Sequence, residues 1–375
     1  MSDGRTLSTA MRIGLLGDTH GDMSHVLAVS ETMWKRGVSV LLVLGDFGFV
    51  WPRRNYGIDL SKLSRRLAAR RQVLYFVDGN HEDFTRLYRH PIGDDGLRWL
   101  RPNVAHIPRG YRTPLSSGRT LAALGGANSV DAGNRLAGSS WWPEESITED
   151  DLAALGGEHA DVMVGHDAPL DVPALDRRLA ATDHWWSEGG KSYSAAGRQM
   201  FHRGFLQVRP QLYLGGHYHY HVDETVEYEN DGRAFSCRVV VLDMNEGHSW
   251  SQAILDVTTL DLQYFDRDDA IVAELTGNET GRWLVTTSPS QREFLFDLDA
   301  RTVRSLSGDN ATCPLTDQEL GLHSIERCRV GQPGSWRLVT ATGLPTVPVR
   351  STKVIDIRPM PAGEQTHELI WNDID

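Results

Sequence analysis

The sequence predicts an α/β layered fold followed by a small β-rich region, and three observations predict it. Short apolar runs alternate with longer amphipathic stretches as far as about residue 245, the pattern of strands and helices in turn. Metal-ligand residues stand directly after the ends of those runs, at the edge where α/β sheets gather their ligands. From about residue 276 the pattern changes to short alternating runs separated by Gly, Pro, Ser and Asp.

The runs at 13–16, 38–44, 73–77, 121–124, 162–164, 212–214 and 239–242 are short, Val- or Leu-rich and closed by Gly or Asp, so they read as buried strands. Helices are expected between them over 22–35, over 60–71 with Leu60, Leu63 and Leu67 on one face, over 150–155 behind a Thr148 cap, and over 194–208. Beyond them, 282–287, 293–298, 336–342 and 353–357 read as strands of the second region.

A chain of 375 residues is long enough for two cores, since single cores stop growing near ~250–300 residues. No run approaches the ~20 apolar residues of a membrane span, and the first ten residues lack the apolar stretch of a signal peptide. A cytoplasmic protein without membrane partners is expected. Cys237, Cys313 and Cys328 are too few and too scattered for a disulfide framework or a zinc-thiolate site. The net charge is −12, and from residue 251 onward 11 Lys and Arg face 19 Asp and Glu. With no broad basic face, nucleic acid is a disfavoured partner.

Five islands carry the chemistry: GDTHG at 17–21, GDFG at 45–48, GNHED at 79–83, GHDAP at 165–169 and GGHYH at 215–219. One Gly-Asp after a strand is ordinarily a turn, and one His is ordinarily structural. Five in matching contexts supply the roughly seven oxygen and nitrogen donors of a binuclear metal site. Asp18 and His20, like His217 and His219, are two apart, so in extended backbone each pair faces one side. Asp46 has two oxygens with which to bridge two cations, and Asn80 offers a neutral oxygen. His81, whose side chain diverges from that of Asn80, is left for proton transfer.

This ordered set resembles the signature of the calcineurin-like metallophosphoesterases, over about residues 12–245. The resemblance implies a four-layered αββα sandwich. By position, it makes Asp18, His20, Asp46 and His219 ligands of one metal, and Asp46, Asn80, His166 and His217 ligands of the second, with His81 the catalytic histidine. It implies two divalent cations, Mn²⁺ first and Fe or Zn²⁺ as alternatives. The segment GGANSVDAGNRLAGSSWWPEE at 125–145 resembles a stretch of phage and actinobacterial members. Within it Asn128, Ser129 and Arg135 are the candidate phosphate contacts, Asn128 and Ser129 reading equally as loop caps and Arg135 the strongest because an anionic ester needs a positive partner.

The mechanism expected is attack by a metal-bridging hydroxide, with Asp46 and His81 as the catalytic residues and His81 as general acid. The substrate is a small phosphodiester or phosphomonoester, nucleotide-like by preference. Alternatives are a nuclease acting on a polymer, a protein phosphatase, and a metal-binding scaffold without activity. Phe47, Phe49, Trp51, Trp141, Trp142, Trp185 and Trp186 either line a pocket or pack beneath it. The layout expected is a flexible N-terminus over 1–11, the phosphoesterase domain over 12–245, a connection over 246–275, a β-rich accessory domain over 276–360 available to a partner, and a tail over 361–375.

Overall fold

In the computed structural model the described residues are 6–52, 56–230, 232–245, 247, 249–265, 274–288, 292–305, 319–339 and 347–360. The chain divides into two compact units, one over Met1–Trp34 and Val38–Arg267, the other over Lys35–Gly37 and Asp268–Asp375.

The first unit holds two sheets. Strands β1 (Arg12–Leu16), β2 (Val40–Val43), β3 (Val73–Val77), β4 (Arg98–Arg101) and β5 (Val104–Ile107) belong to one, and β6 (Arg112–Pro114), β7 (Thr120–Leu124), β8 (Val162–Gly165), β9 (Leu212–Gly215), β10 (Val222–Asn230) and β11 (Arg233–Val241) form the other. Strands β12 (Gln252–Asp256) and β13 (Leu262–Tyr264) return to the first sheet, giving the orders β13-β12-β1-β2-β3-β5-β4 and β10-β11-β9-β8-β7-β6. At the centre of each sheet the strands run parallel, β1 to β2 to β3 to β5 and β7 to β8 to β9 to β11. Their C-terminal ends therefore share one edge.

Burial on both faces explains why these strands read as continuous apolar runs. Along β2, Val40 and Leu42 point into the core between the sheets, where Leu15, Tyr75, Ala123, Val164 and Leu214 meet them. Leu41 and Val43 point the other way, onto the helices α1 (Met23–Lys35) and α2 (Tyr56–Ala69) through Val29, Met33, Leu60, Leu63 and Leu67. The second sheet is covered likewise by α4 (Glu149–Leu155) and α6 (Glu188–Val208), after the short α3 (Phe84–Leu87) and with α5 (Pro173–Thr182) between them, through Leu152, Leu155, Phe201 and Phe205. The result is the αββα arrangement. Each fully buried Leu or Phe contributes about 1.5–3 kcal/mol, so a charge at Leu42 would break both inner layers.

Local expectations and structure differ at the edges. The helix expected over 194–208 begins at Glu188 behind Ser187, whose side chain accepts from the Gly190 amide. A side chain at 190 would strike the Val130 carbonyl, so the close approach requires Gly there. Strand β10 escapes a reading by apolar runs because its nine residues, VDETVEYEN, are mostly charged or half-exposed. No helix among the described residues is long and apolar enough to cross a membrane.

The second unit contains a closed barrel of β14 (Arg282–Ser288), β15 (Glu293–Asp297), β16 (Thr302–Ser305), β17 (Leu320–Arg327), β18 (Pro333–Leu338) and β19 (Val347–Met360). Its core is built around Trp336, buried edge-on against Phe294 and Phe296. The strand expected over 336–342 is instead Pro333–Leu338, and Thr342 lies outside the described residues.

Candidate metal centre and active site

The islands follow β1, β2, β3, β8 and β9, so the first sheet delivers Asp18, His20, Asp46, Asn80 and His81 and the second delivers His166, His217 and His219. Asp18, His20, Asp46 and His219 can place one donor atom each within 4.8 Å of one another. Asn80, His166 and His217 join them through Asp46. Nε2 of His166 lies 3.2 Å from Oδ1 of Asp46 and 3.1 Å from Oδ1 of Asn80, and Nδ1 of His217 lies 2.9 Å from the same Asn80 oxygen.

The backbone that achieves this is not extended. His20, Asp46, His217 and His219 have φ of 43°, 45°, 73° and 50°, in the left-handed region that a non-glycine residue enters at about 1–3 kcal/mol. The i, i+2 pairs therefore converge through tight turns rather than by the alternation of a strand. Strain gathered at four residues of one cluster is the mark of a site held for function. The glycines beside them are set by close approach: a Cβ at Gly45 would strike the His166 ring, and one at Gly79 would strike Asp46.

Donor chemistry tests whether the cluster fits divalent cations. His166 Nδ1 faces the Leu44 carbonyl at 2.8 Å and so carries the proton there in the neutral ring. Its Nε2 then faces two oxygens, Asp46 Oδ1 and Asn80 Oδ1, a contact that either a proton on Nε2 or a cation among the three atoms satisfies. Nε2 of His20 and Nε2 of His219 are likewise 3.1 Å apart, with Asp18 Oδ2 3.1 Å from the latter. Burial disfavours a charged His166, yet Asp46 and Asp18 overcome it and push the ring up to about 10. Burial also opposes ionisation of Asp46, and His166 and His81 outweigh it and hold the carboxyl well below the usual range. The cluster thus concentrates negative charge and lone pairs around positive charge, which suits divalent metal ions bound by mixed oxygen and nitrogen donors.

His81 lies on the rim, its amide donating to Asp46 Oδ1 at 2.8 Å and its ring Nε2 4.0 Å from Asp46 Oδ2. Arg135 Nη2 is 2.9 Å from the His81 Nε2 and 2.8 Å from Asp131, and Nη1 is buried with no hydrogen-bond partner among the described residues. Such an unmatched guanidinium donor beside the cluster is suited to a phosphate oxygen. Asn128 is not brought into the cluster. It is 5% exposed, donates to the Tyr193 carbonyl at 2.8 Å and abuts Gly197 of α6.

A cavity of about 540 Å³ opens over the cluster, lined by Asp46, Asn80, His81, Arg135, His217 and His219 on one side. Its other wall comes from α5, with Arg178 and Leu179, from Trp185 and Trp186 in the segment after it, and from the start of α6. Trp185 and Trp186 are 66% and 42% exposed, and the Arg178 guanidinium stacks on Tyr220. Phe47 and Phe49, by contrast, are buried against Phe76 and each other, and Trp142 is buried with its Nε1 on Thr85. Trp51 stands between the groups, 5.4 Å from the His81 ring. Sequence reading passed over Glu82, Arg178 and Glu145. Buried Glu82 accepts the Phe47 amide at 2.8 Å and so ties the second island to the third. A signal was present for Glu82, inside GNHED, and for Glu145, which closes the 125–145 stretch.

Residues 11–221 match a family model described as calcineurin-like phosphoesterase. No curated protein matches the chain. Among solved structures it is similar to a protein of Thermus thermophilus, at 14% identity over 69% of this chain and 100% of that one, with a TM-score of 0.42. It is similar also to a dimetal phosphatase from Danio rerio, at 13% identity over 68% and 96% with a TM-score of 0.42, and to an archaeal phosphodiesterase, at 12% over 68% and 99% with a TM-score of 0.31.

Proposed function

Because the chain belongs to the calcineurin-like phosphoesterases, as the match over residues 11–221 shows, we propose that it hydrolyses a phosphodiester or phosphomonoester, nucleotide-like by preference, at a dinuclear metal centre. The family makes it a metal-dependent phosphoric ester hydrolase. One observation carries the reading of the site: two carboxylates, four imidazoles and one amide oxygen from two different sheets converge, with His81 and Arg135 at the rim.

Asp18, His20, Asp46 and His219 would hold one cation, and Asp46, Asn80, His166 and His217 the other. The cations supply a water activated at neutral pH and charge to stabilise the phosphoryl oxygens. The remaining work falls to the chain. Arg135 binds a non-bridging phosphate oxygen through its unmatched Nη1, and exchange of its Nη2 contact onto the ester frees Nε2 of His81. Once freed, Nε2 takes up a proton from solvent and passes it to the leaving oxygen, a step worth about 10²–10⁴-fold. Trp185 and Trp186 offer faces to a planar ring, and Arg178 offers a second anion contact, which together favour a nucleotide-like leaving or retained group.

Mn²⁺-supplemented protein is to be assayed against aryl phosphomonoesters, aryl phosphodiesters and nucleotide diesters. Cleavage of at least one class, abolished by chelation, is expected. Hydrolysis that persists undiminished in Asp46→Ala would overturn the dinuclear reading, and equal rates for nucleotide and simple alkyl esters would overturn the substrate preference.

A further inference from the structure

The two ends of the Asn80 amide have opposite chemistry, and only its oxygen can serve a cation. What decides which end faces the cluster is a buried chain of hydrogen bonds running away from it. Asn80 Nδ2 meets Ser129 Oγ at 3.1 Å, and Ser129 Oγ donates to Glu145 Oε2 at 2.7 Å. The single hydroxyl proton of Ser129 is thereby committed, so its oxygen faces Asn80 as an acceptor. A flipped amide would set oxygen against oxygen at that contact. Orientation of the amide, ordinarily an inference from neighbours, is forced here by the neighbour's own partner. Oδ1 is turned to His166 and His217, at 3.1 and 2.9 Å.

Glu145 is itself held. It is fully buried and accepts at Oε1 from the Ser129 amide at 2.8 Å and from Trp141 Nε1 at 3.0 Å. Its segment is clamped by Arg109, whose guanidinium donates to the carbonyls of Glu144, Glu145 and Ser146 and also binds Asp78 Oδ2 at 2.7 and 3.0 Å. Asp78 stands two residues before Asn80, at the end of β3. The loop therefore closes on itself, from Asn80 through Ser129, Glu145 and Arg109 to Asp78 and back along the chain. Apart from Asn80 itself, no member of this circuit lines the cavity.

We propose that Ser129 and Glu145 are positioning residues that hold the Asn80 amide with its oxygen toward the metal centre, and so set the affinity for the cation shared by Asn80, His166 and His217. This rests on the dinuclear reading above. It also gives the WWPEE stretch a task, since Trp141 and Glu145 serve the circuit rather than the substrate.

The test is calorimetric titration of Mn²⁺ into the metal-free wild type, Ser129→Ala, Glu145→Ala and Ser129→Thr, with thermal melting of each metal-free form. Two binding steps are expected for the wild type. In Ser129→Ala and Glu145→Ala one step weakens about 10–100-fold while the other holds, as removal of a ligand's supporting partner does. Ser129→Thr, which keeps the hydroxyl, restores it. If Glu145→Ala fails to fold, Ser129→Ala decides alone. Two unweakened steps in Ser129→Ala would overturn the proposal and leave the dinuclear reading standing. Equal weakening of both steps with a lowered metal-free melting temperature would also overturn it, because that is loss of fold rather than of amide orientation. A wild type that takes up no second equivalent would instead bring down the dinuclear reading, and this proposal with it.

Discussion

Nη2 of Arg135 lies 2.9 Å from Nε2 of His81, and since a guanidinium only donates, the imidazole accepts at that nitrogen. The two residues are 54 positions apart and meet only because the loop after β7 folds back across the end of β3. A cation thus guards the nitrogen to which the proton-transfer role is assigned. Burial, the Asp46 charge and the Arg135 charge act on His81 together, and their balance leaves the imidazole below its usual value. Substrate binding that draws Arg135 onto phosphate would release Nε2 for its task.

Arg135→Ala removes that phosphate contact and is expected to raise KM about 10-fold or more, the measure of a charge-assisted hydrogen bond of ~1.5–3 kcal/mol. Metal content should not change, because Arg135 holds none of the donor atoms. Steady-state kinetics with metal analysis of the same sample checks both statements, and an unchanged KM would remove Arg135 from the substrate site.

His81→Ala should lower kcat by about 10²–10⁴-fold with both cations retained. The loss should depend on the leaving group. A p-nitrophenyl ester, whose phenolate departs without a proton, should suffer far less than an alkyl ester. Equal losses on both would show that His81 acts otherwise than by protonating the leaving oxygen.

Asp46→Ala touches donors on both sides of the cluster, through His20 at 3.9 Å and His166 at 3.2 Å. Both binding steps should weaken, and kcat/KM should fall by at least about 10²–10³-fold. Asp18→Ala should weaken one step more than the other. Metal stoichiometry after dialysis distinguishes them.

Removing metal should also cost stability, because ions that bind only the folded chain raise it by mass action. At one hundred times the dissociation constant the gain is about 2.7 kcal/mol. Calorimetric unfolding with chelator and with Mn²⁺ should show the shift in the transition of the first unit, and no shift would mean that the donors bind no metal.

Trp185→Ala combined with Trp186→Ala should weaken nucleotide esters by about 1–3 kcal/mol of lost stacking and leave simple alkyl esters unaffected. Competition between the two ester classes in one reaction reads this ratio directly. Parallel losses on both classes would show that these rings shape the cavity without recognising a base.

Much of the fold was legible because parallel strands buried on both faces must be apolar throughout, and β1, β3 and β8 announce themselves that way. Strands that face water on one side carried no such signal. The charged β10 and the three-residue β6 exist through pairing with β11 and β7, and pairing is a property of the partner. Aromatic residues divided in the same manner. Phe47 and Trp185 look alike in a sequence, yet one lies beneath the cluster at 0% exposure and the other stands at its mouth at 66%.

The sequence by itself determined which chemistry the chain carries and at which strand ends it stands, since donor atoms belong to residue types and apolar runs mark the strands before them. Tertiary structure alone decided how those donors meet. The left-handed turns at His20, Asp46, His217 and His219 replace the extended geometry that spacing suggests, and such strain survives only where a packed surround over-determines it. It alone decided, too, that Ser129 and Glu145 stand behind Asn80 while Asn128 turns toward α6. Hydrogen bonds between residues dozens of positions apart have no local sequence signal, because their energy depends on distances that only the folded chain creates.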